Sequence, residues 1–152
     1  MNKTARLLVP CLLCATTAFA APPDACSLIS KDEVNKMAKK GDAVHVEKRG
    51  RGSESECSFL DSGKSAVLTV SLRESADPAG ELKMDAGVQE RMYKKPVKTV
   101  AGVGDEAWWA DNQGVLAFRK GKIAGRVYFT GSKYGGEPVT TEVARLVAGR
   151  IK

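Results

Sequence analysis

The segment Gly102-Val103-Gly104-Asp105-Glu106-Ala107 comes close to a known chemical motif. Its glycines resemble the fingerprint with which dinucleotide-binding folds hold a pyrophosphate, but that fingerprint must open directly into a helix. Here Trp108, Trp109 and Ala110 follow, which is a strand pattern, and the two acidic side chains would repel a phosphate. We therefore expect a tight turn whose carboxylates accept hydrogen bonds from nearby backbone, and no nucleotide.

The same two carboxylates, Asp105 and Glu106, could instead act as acid and base in glycoside hydrolysis. Adjacent residues of a strand point to opposite faces, so these two cannot flank one bond. A second carboxylate would have to come from Glu54, Glu56 or Glu137, and no spacing favours one of them. A small cell-envelope hydrolase with an unrecognised carboxylate site is therefore the alternative hypothesis, and a deep cleft at Asp105 or Glu106 would support it.

His45 is the only histidine, and it lies in a candidate strand between Val44 and Val46. A zinc site here would need three more ligands from carboxylates alone. A serine nucleophile would need a Gly-x-Ser-x-Gly elbow or a neighbouring base, and the sequence has no such elbow. We predict no metal site, no cofactor and no catalytic residue, so the protein is expected not to be an enzyme.

Trp108 and Trp109 are the aromatic residues best suited to recognition. In a strand one indole faces the core and the other faces outward. An exposed tryptophan near the cationic Lys94, Lys95 and Lys98 would bind a peptide, a glycan or a partner protein. The alternative is that both rings are covered, one by the sheet and one by a loop or helix.

The first twenty residues have the pattern of an export signal. Lys3 and Arg6 form a basic start, residues 7–15 form a short apolar run, and Ala18-Phe19-Ala20 offers a small-x-small cleavage site. The apolar run is about nine residues, well below the roughly twenty that a membrane-spanning helix needs. We predict a signal peptide over residues 1–20, cleavage after Ala20, and a periplasmic or extracellular protein.

Charge is distributed unevenly along the chain. Removing the leader lowers the formal net charge from +6 to +4, which favours an acidic target. The span Glu54–Glu90 holds eight acidic and three basic residues, whereas Arg91–Lys98 holds four basic residues and no acidic one. In an exported protein these basic residues are expected to face anionic lipid, polysaccharide, protein or solvent, and no nucleic acid.

Cys26 and Cys57 are the cysteines that remain once the leader is removed. CxxC spacing and companion histidines are absent, so an oxidising compartment favours a disulfide over a metal or redox site. Closing a loop of about 32 residues would stabilise the fold by roughly 3 to 4 kcal/mol in the chain-entropy model. The bond is expected to join the start of the first helix to an early strand.

Three helices are predicted from caps and hydrophobic spacing. Ser30 and Glu33 form a capping box and Ile29 can pack on Val34, with Gly41 ending this helix. A second helix is predicted over Pro78–Tyr93 and a third begins at Pro138.

Alternating hydrophobicity and turn residues predict the strands. Their predicted ranges are 43–48, 56–61, 65–73, 98–101, 106–110, 115–119 and 123–130. Short connections imply antiparallel pairing. After a spacer at residues 21–25 we expect one α+β domain over residues 26–152, with the order α-β-β-β-α-β-β-β-α, or four strands in the second run. Its helices are expected on one face of the sheet.

Four short motifs occur together in the mature chain: Cys26-x-Leu28-Ile29-Ser30-x-x-Glu33-Val34, Cys57-x-Phe59, Gly102-Val103-Gly104-Asp105-Glu106-Ala107 and Leu116-x-Phe118-Arg119-x-Gly121. In this combination residues 24–151 resemble an uncharacterised family of small exported domains common among actinobacterial lipoproteins. The resemblance implies an α+β domain with a helix-to-strand disulfide and implies no activity. Because this chain lacks the lipid-attachment cysteine, the resemblance does not extend to membrane anchoring.

The leading functional hypothesis is a non-catalytic exported domain that binds a protein or peptide of the cell envelope. A stable scaffold, a disulfide, a lone histidine and the lack of coupled catalytic groups favour it. A periplasmic inhibitor or immunity protein is a specific form of this hypothesis.

Overall fold

The computed structural model of the protein describes residues 21–152, so the predicted leader lies outside the described residues. The described residues form four helices and seven strands. The helices are α1 (Ala25–Leu28), α2 (Lys31–Met37), α3 (Pro78–Tyr93) and α4 (Glu137–Arg150). The strands are β1 (His45–Arg49), β2 (Glu54–Leu60), β3 (Ala66–Glu74), β4 (Lys98–Thr99), β5 (Glu106–Ala110), β6 (Val115–Lys120) and β7 (Ile123–Phe129).

All seven strands belong to one antiparallel sheet with the order β1-β2-β3-β7-β6-β5-β4. Each run of consecutive strands is a meander, as the short connections predicted. The two meanders meet where β3 pairs with β7, with Val70 opposite Val127. The α+β class and the antiparallel sheet are therefore confirmed.

α1 and α2 are each capped by a side chain at the amino-terminal end. Asp24 accepts a hydrogen bond from the Cys26 backbone N–H at the start of α1. Ser30 and Glu33 form the expected capping box of α2, with buried Ile29 and Val34 beside it. The short α1 was not predicted, since four residues are too few for a hydrophobic period. α2 also ends at Met37, before Gly41, because the chain turns into extended backbone at Ala38.

The predicted Cys26–Cys57 disulfide is present at bonding distance. The sulfur atoms lie 2.11 Å apart and the Cα atoms 5.0 Å apart. The bond joins α1 to β2, and Cys57 is fully buried. It fixes the amino-terminal helices on the face of the sheet that carries the main core.

The main core lies between one face of the sheet and α1, α2 and α4. It contains side chains of alternating strand positions and of the inner faces of these helices. Phe118 of β6 and Val143 and Val147 of α4 are fully buried in it. Gly125 of β7 leaves room for the Phe118 ring, because a Cβ there would lie 2.3 Å from the ring.

α3 lies on the opposite face, so the expectation that all helices share one face is wrong. Its Leu82 packs in a separate cluster with Trp108, Ala110 and Ala117. The residues that alternate with these along β5 and β6 belong to the main core on the other face. α3 contacts β5, β6 and β7. The sequence did not show this placement, because Gly80 and Gly87 weaken the helix pattern and one buried leucine defines no broad apolar stripe.

No helix within residues 21–152 is long and apolar enough to cross a membrane.

Candidate functional site

Both tryptophans are buried, so the predicted surface lacks its exposed indole. Trp108 and Trp109 are 5% and 3% exposed. They do point to opposite faces of β5, but α3 covers the outer face at this position. The Trp108 Nε1–H donates to the backbone carbonyl of Leu82 over 3.1 Å. Trp108 therefore attaches α3 to the sheet.

The lysines of the predicted surface are exposed and lie beside the buried indoles. Lys94 and Lys95 follow the carboxyl end of α3, and Lys98 begins β4 opposite Trp109. Lys98 Nζ lies 2.6 Å from a carboxylate oxygen of Glu137. This patch is thus a basic surface without an exposed tryptophan.

The glycine-rich segment before β5 is a tight turn, as its sequence predicted. Gly102 and Gly104 have positive φ angles of 74° and 56°. The Asp105 carboxylate accepts a hydrogen bond from the Gly121 backbone N–H at 2.7 Å and from Lys120 Nζ at 3.1 Å. These donors hold the pKa of Asp105 below its ordinary value, the backbone hydrogen bond being the largest cause.

Asp105 and Glu106 lie in surface ion pairs outside the two cavities described below. Glu106 lies 3.1 Å from the Arg119 side chain, in the same set of surface ion pairs as Asp105. Neither residue lines either of the two cavities described below. Both carboxylates instead stabilise the hairpin ends.

The larger cavity is an open groove of about 530 Å³ beside α3. Its floor is the part of the outer sheet face that α3 leaves uncovered. The sheet contributes Arg49 of β1, Glu54 and Glu56 of β2, Ser71 and Arg73 of β3, and Arg126 of β7. The helix contributes Glu81, Met84 and Asp85. We call this region the groove.

The strand register brings the charged residues of the groove together. Arg49 lies opposite Glu56, Glu54 lies opposite Arg73, and Ser71 lies opposite Arg126. These side chains share one face because residues that are direct cross-strand partners point to the same side. The groove therefore has a polar floor that is built by four strands.

Each arginine of the groove has an acidic partner. Arg49 pairs with Glu47 of the same strand at 2.8 Å. Arg73 pairs with Glu81 of α3. Arg126 pairs with Asp85, also of α3. The last two ion pairs join the sheet to the helix and form one wall of the groove.

Glu54 and Glu56 are the two groove carboxylates that take no part in these ion pairs. Within residues 21–152 neither has a cationic side chain at ion-pair distance. Glu56 accepts one hydrogen bond, from the Ser71 hydroxyl at 3.2 Å. The groove thus offers acceptor oxygens and a net negative charge to a ligand.

His45 is exposed at the start of β1, on an edge of the sheet. The described residues contain no group of three or more histidine, cysteine or carboxylate side chains that could hold a metal ion.

Sequence reasoning did not identify the groove as a site. Arg73 and Arg126 are both exposed. The signal that could have found the site was the acidic excess of Glu54–Glu90, because all four groove carboxylates lie in that span. The position of α3, which turns this face of the sheet into a groove, could not be predicted from the sequence.

In comparisons with known proteins, the chain matches no protein-family model and no curated protein.

Proposed function

We propose that this protein is an exported, non-catalytic domain that binds an extended segment of a cell-envelope protein, with a basic side chain of that segment in the groove. The groove, with the unpaired Glu54 and Glu56 on its floor, is the observation that carries the proposal. The predicted leader, the Cys26–Cys57 pair and the resemblance to exported domains support a periplasmic or extracellular location.

Local charge favours a basic ligand although the mature chain has a net positive charge. Three arginines and four carboxylates line the groove. Charges beyond about 8 to 10 Å are largely screened at physiological ionic strength, so a ligand in the groove responds mainly to these groups. Since each arginine already has an acidic partner, Glu54 and Glu56 determine the preference for a cation.

The size and the mixed lining of the groove suit a peptide segment with a basic side chain. Its volume lies within the range of about 300 to 1,000 Å³ that ligand sites occupy. Charged and hydroxyl side chains line the groove together with the apolar Leu82, Ala117 and Ala124, so it offers both charged and apolar contacts. Met84 is 64% exposed at the rim and offers a flexible apolar contact.

Inhibition of an envelope enzyme, or protection from a toxin, is the specific form of binding that this scaffold suits. The disulfide and the sheet hold the groove residues on a rigid platform, which lowers the entropy lost when a partner binds. The partner segment must present lysine or arginine in an extended conformation.

Titration calorimetry with two hexapeptides tests the proposal, one alternating lysine with alanine and the other alternating glutamate with alanine. We expect the basic peptide to bind, with affinity that falls as salt is added, and the acidic peptide not to bind. Replacing Glu54 and Glu56 together by glutamine should weaken binding about tenfold or more, which is about 1.4 kcal/mol. The matched control is Glu142→Gln, an exposed carboxylate of α4 outside the groove.

Crosslinking locates the site independently. A photoreactive residue at Met84 should crosslink to the basic peptide, whereas one at Met92 should not. Both methionines are exposed on α3, and only Met84 lines the groove. Equal crosslinking from both positions, or binding that survives the double glutamine variant, would contradict the proposal.

A further inference from the structure

A second cavity, of about 340 Å³, lies where the amino-terminal end of the described chain meets the end of β3. It is lined by Ala21, Pro23, Glu74, Ile123, Ile151 and three lysines. It shares no residue with the groove. Any function of this cavity is therefore independent of the proposed peptide site.

Glu74 has one buried carboxylate oxygen that accepts no hydrogen bond within residues 21–152. Its Oε2 is inaccessible to solvent and has no hydrogen-bond partner within the described residues. Glu74 is the last residue of β3 and lies opposite Ile123, which belongs to the main core. Burying a charged oxygen without a donor is costly, so this position favours a cationic donor.

The chain before α1 is held in place at this cavity. Pro22 is buried and Pro23 lines the cavity, and two successive prolines restrict the backbone to extended conformations. The next residues are also fixed, because Asp24 caps α1 and the Ala25 N–H donates to the Ser55 hydroxyl at 2.9 Å. Ala21 is thus positioned at the cavity wall.

We infer that this cavity is a site for a primary ammonium, and that its ligand is the α-ammonium of Ala21, which export processing creates and which pairs with Glu74. A signal peptidase hydrolyses the amide between Ala20 and Ala21. The C–N bond breaks, the oxygen of water adds to the Ala20 carbonyl carbon, and the amine stays on Ala21 and is protonated at neutral pH. Maturation thereby supplies the donor that Glu74 lacks.

Three lysines also face this cavity and are the competing donors. Lys120 is already bound to Asp105 at 3.1 Å. Lys122 and Lys152 line the cavity without lying within ion-pair distance of Glu74. Their positive charges lower the affinity of the cavity for an ammonium, so Glu74 must supply the attraction.

The test measures the pKa of the Ala21 α-amino group by NMR in the mature, disulfide-bonded protein recovered from the periplasm of a bacterial host. The reference is a synthetic peptide of residues 21–30, whose α-amino pKa should be about 7.7 to 8.0. We expect the pKa in the folded protein to be about one unit higher, because an opposite charge at close range favours the protonated form. The shift should disappear in Glu74→Gln and persist in the control Glu142→Gln, which changes an exposed carboxylate that lines neither cavity.

Two further measurements separate this pairing from a merely structural role of Glu74. The intact mass should correspond to residues 21–152, and adding one glycine before Ala21 should lower the melting temperature of the wild type but not of Glu74→Gln. The stabilisation should be complete below about pH 7.7 and lost as the pH rises through the folded-state pKa. Equal pKa values in the wild type and Glu74→Gln, or cleavage at another bond, would overturn the inference.

Discussion

Replacing Glu33 by glutamine should destabilise the protein in a way that depends on pH. Glu33 joins the two ends of the described chain, because its Oε1 lies 2.6 Å from Arg150 Nη2 and its Oε2 lies 3.1 Å from Nη1. Its Oε2 also accepts from the Ser30 backbone N–H at 2.8 Å. Glutamine keeps the shape and can keep the capping box, so this change isolates the charge.

The magnitude follows from the pKa of Glu33. The Arg150 hydrogen bond, followed by those from Ser30, lowers this pKa from 4.5 to about 2. At about 1.4 kcal/mol per pKa unit the full shift would correspond to about 3 kcal/mol. The two side chains are 32% and 41% exposed, so solvent screening reduces the expected loss to about 1 kcal/mol.

The sign of the pH dependence is fixed by the lowered pKa. The contribution of Glu33 is fully present above the unfolded-state pKa near 4.5 and is lost as the pH falls toward about 2. Urea unfolding of the wild type and Glu33→Gln should therefore differ by about 1 kcal/mol at pH 7 and by roughly half of that at pH 3.

The control for this prediction is Glu142→Gln, an exposed carboxylate of α4. It should change the free energy of unfolding little at either pH. The reasoning would be refuted if Glu33→Gln had no effect at pH 7, or if its effect were the same at pH 3 as at pH 7.

Three further changes test how the core and helices are held. Trp108→Phe should lower the free energy of unfolding by about 2 kcal/mol, because it removes the hydrogen bond from the indole to the Leu82 carbonyl and leaves a gap where the larger ring packs against α3, and hydrogen exchange should increase selectively in α3. Gly125→Ala should cost about 1 to 3 kcal/mol in urea unfolding, because its Cβ would lie 2.3 Å from the Phe118 ring, whereas the matched change Gly149→Ala meets no atom within 4 Å and should be tolerated. Cys26→Ser should cost about 3 kcal/mol in thermal unfolding, and an unchanged melting temperature would contradict a stabilising disulfide.

Local patterns were sufficient for most of the secondary structure. The ranges of α3 and β5 agree with their predicted limits. The proline at the start of α3 and the alternating pattern of β5 are both local sequence signals. The other predicted strands are present with ends that differ by one to two residues. β4 ends two residues earlier than predicted because the chain enters a turn at Ala101 and Gly102, although the Val100 N–H still donates to the Ala107 carbonyl of β5 at 3.0 Å.

The candidate site was harder to predict from the sequence than the secondary structure. Alternation correctly placed Trp108 and Trp109 on opposite faces of β5, but it could not show that α3 covers the outer one. The groove was missed for the same reason. Glu54, Arg73 and Arg126 are distant in sequence, and only the pairing of β2 with β3 and of β3 with β7 makes them neighbours.

The sequence by itself determined the antiparallel α+β class, the capping box and the pairing of Cys26 with Cys57, because each depends on short-range patterns or on elimination among few residues. Only the tertiary structure decided which face α3 occupies. The position of α3 depends on the packing of Leu82 against Trp108, Ala110 and Ala117. Such packing between segments that are distant in sequence produces no periodic pattern in either segment. The same placement buries the Trp108 indole and creates the groove beside α3.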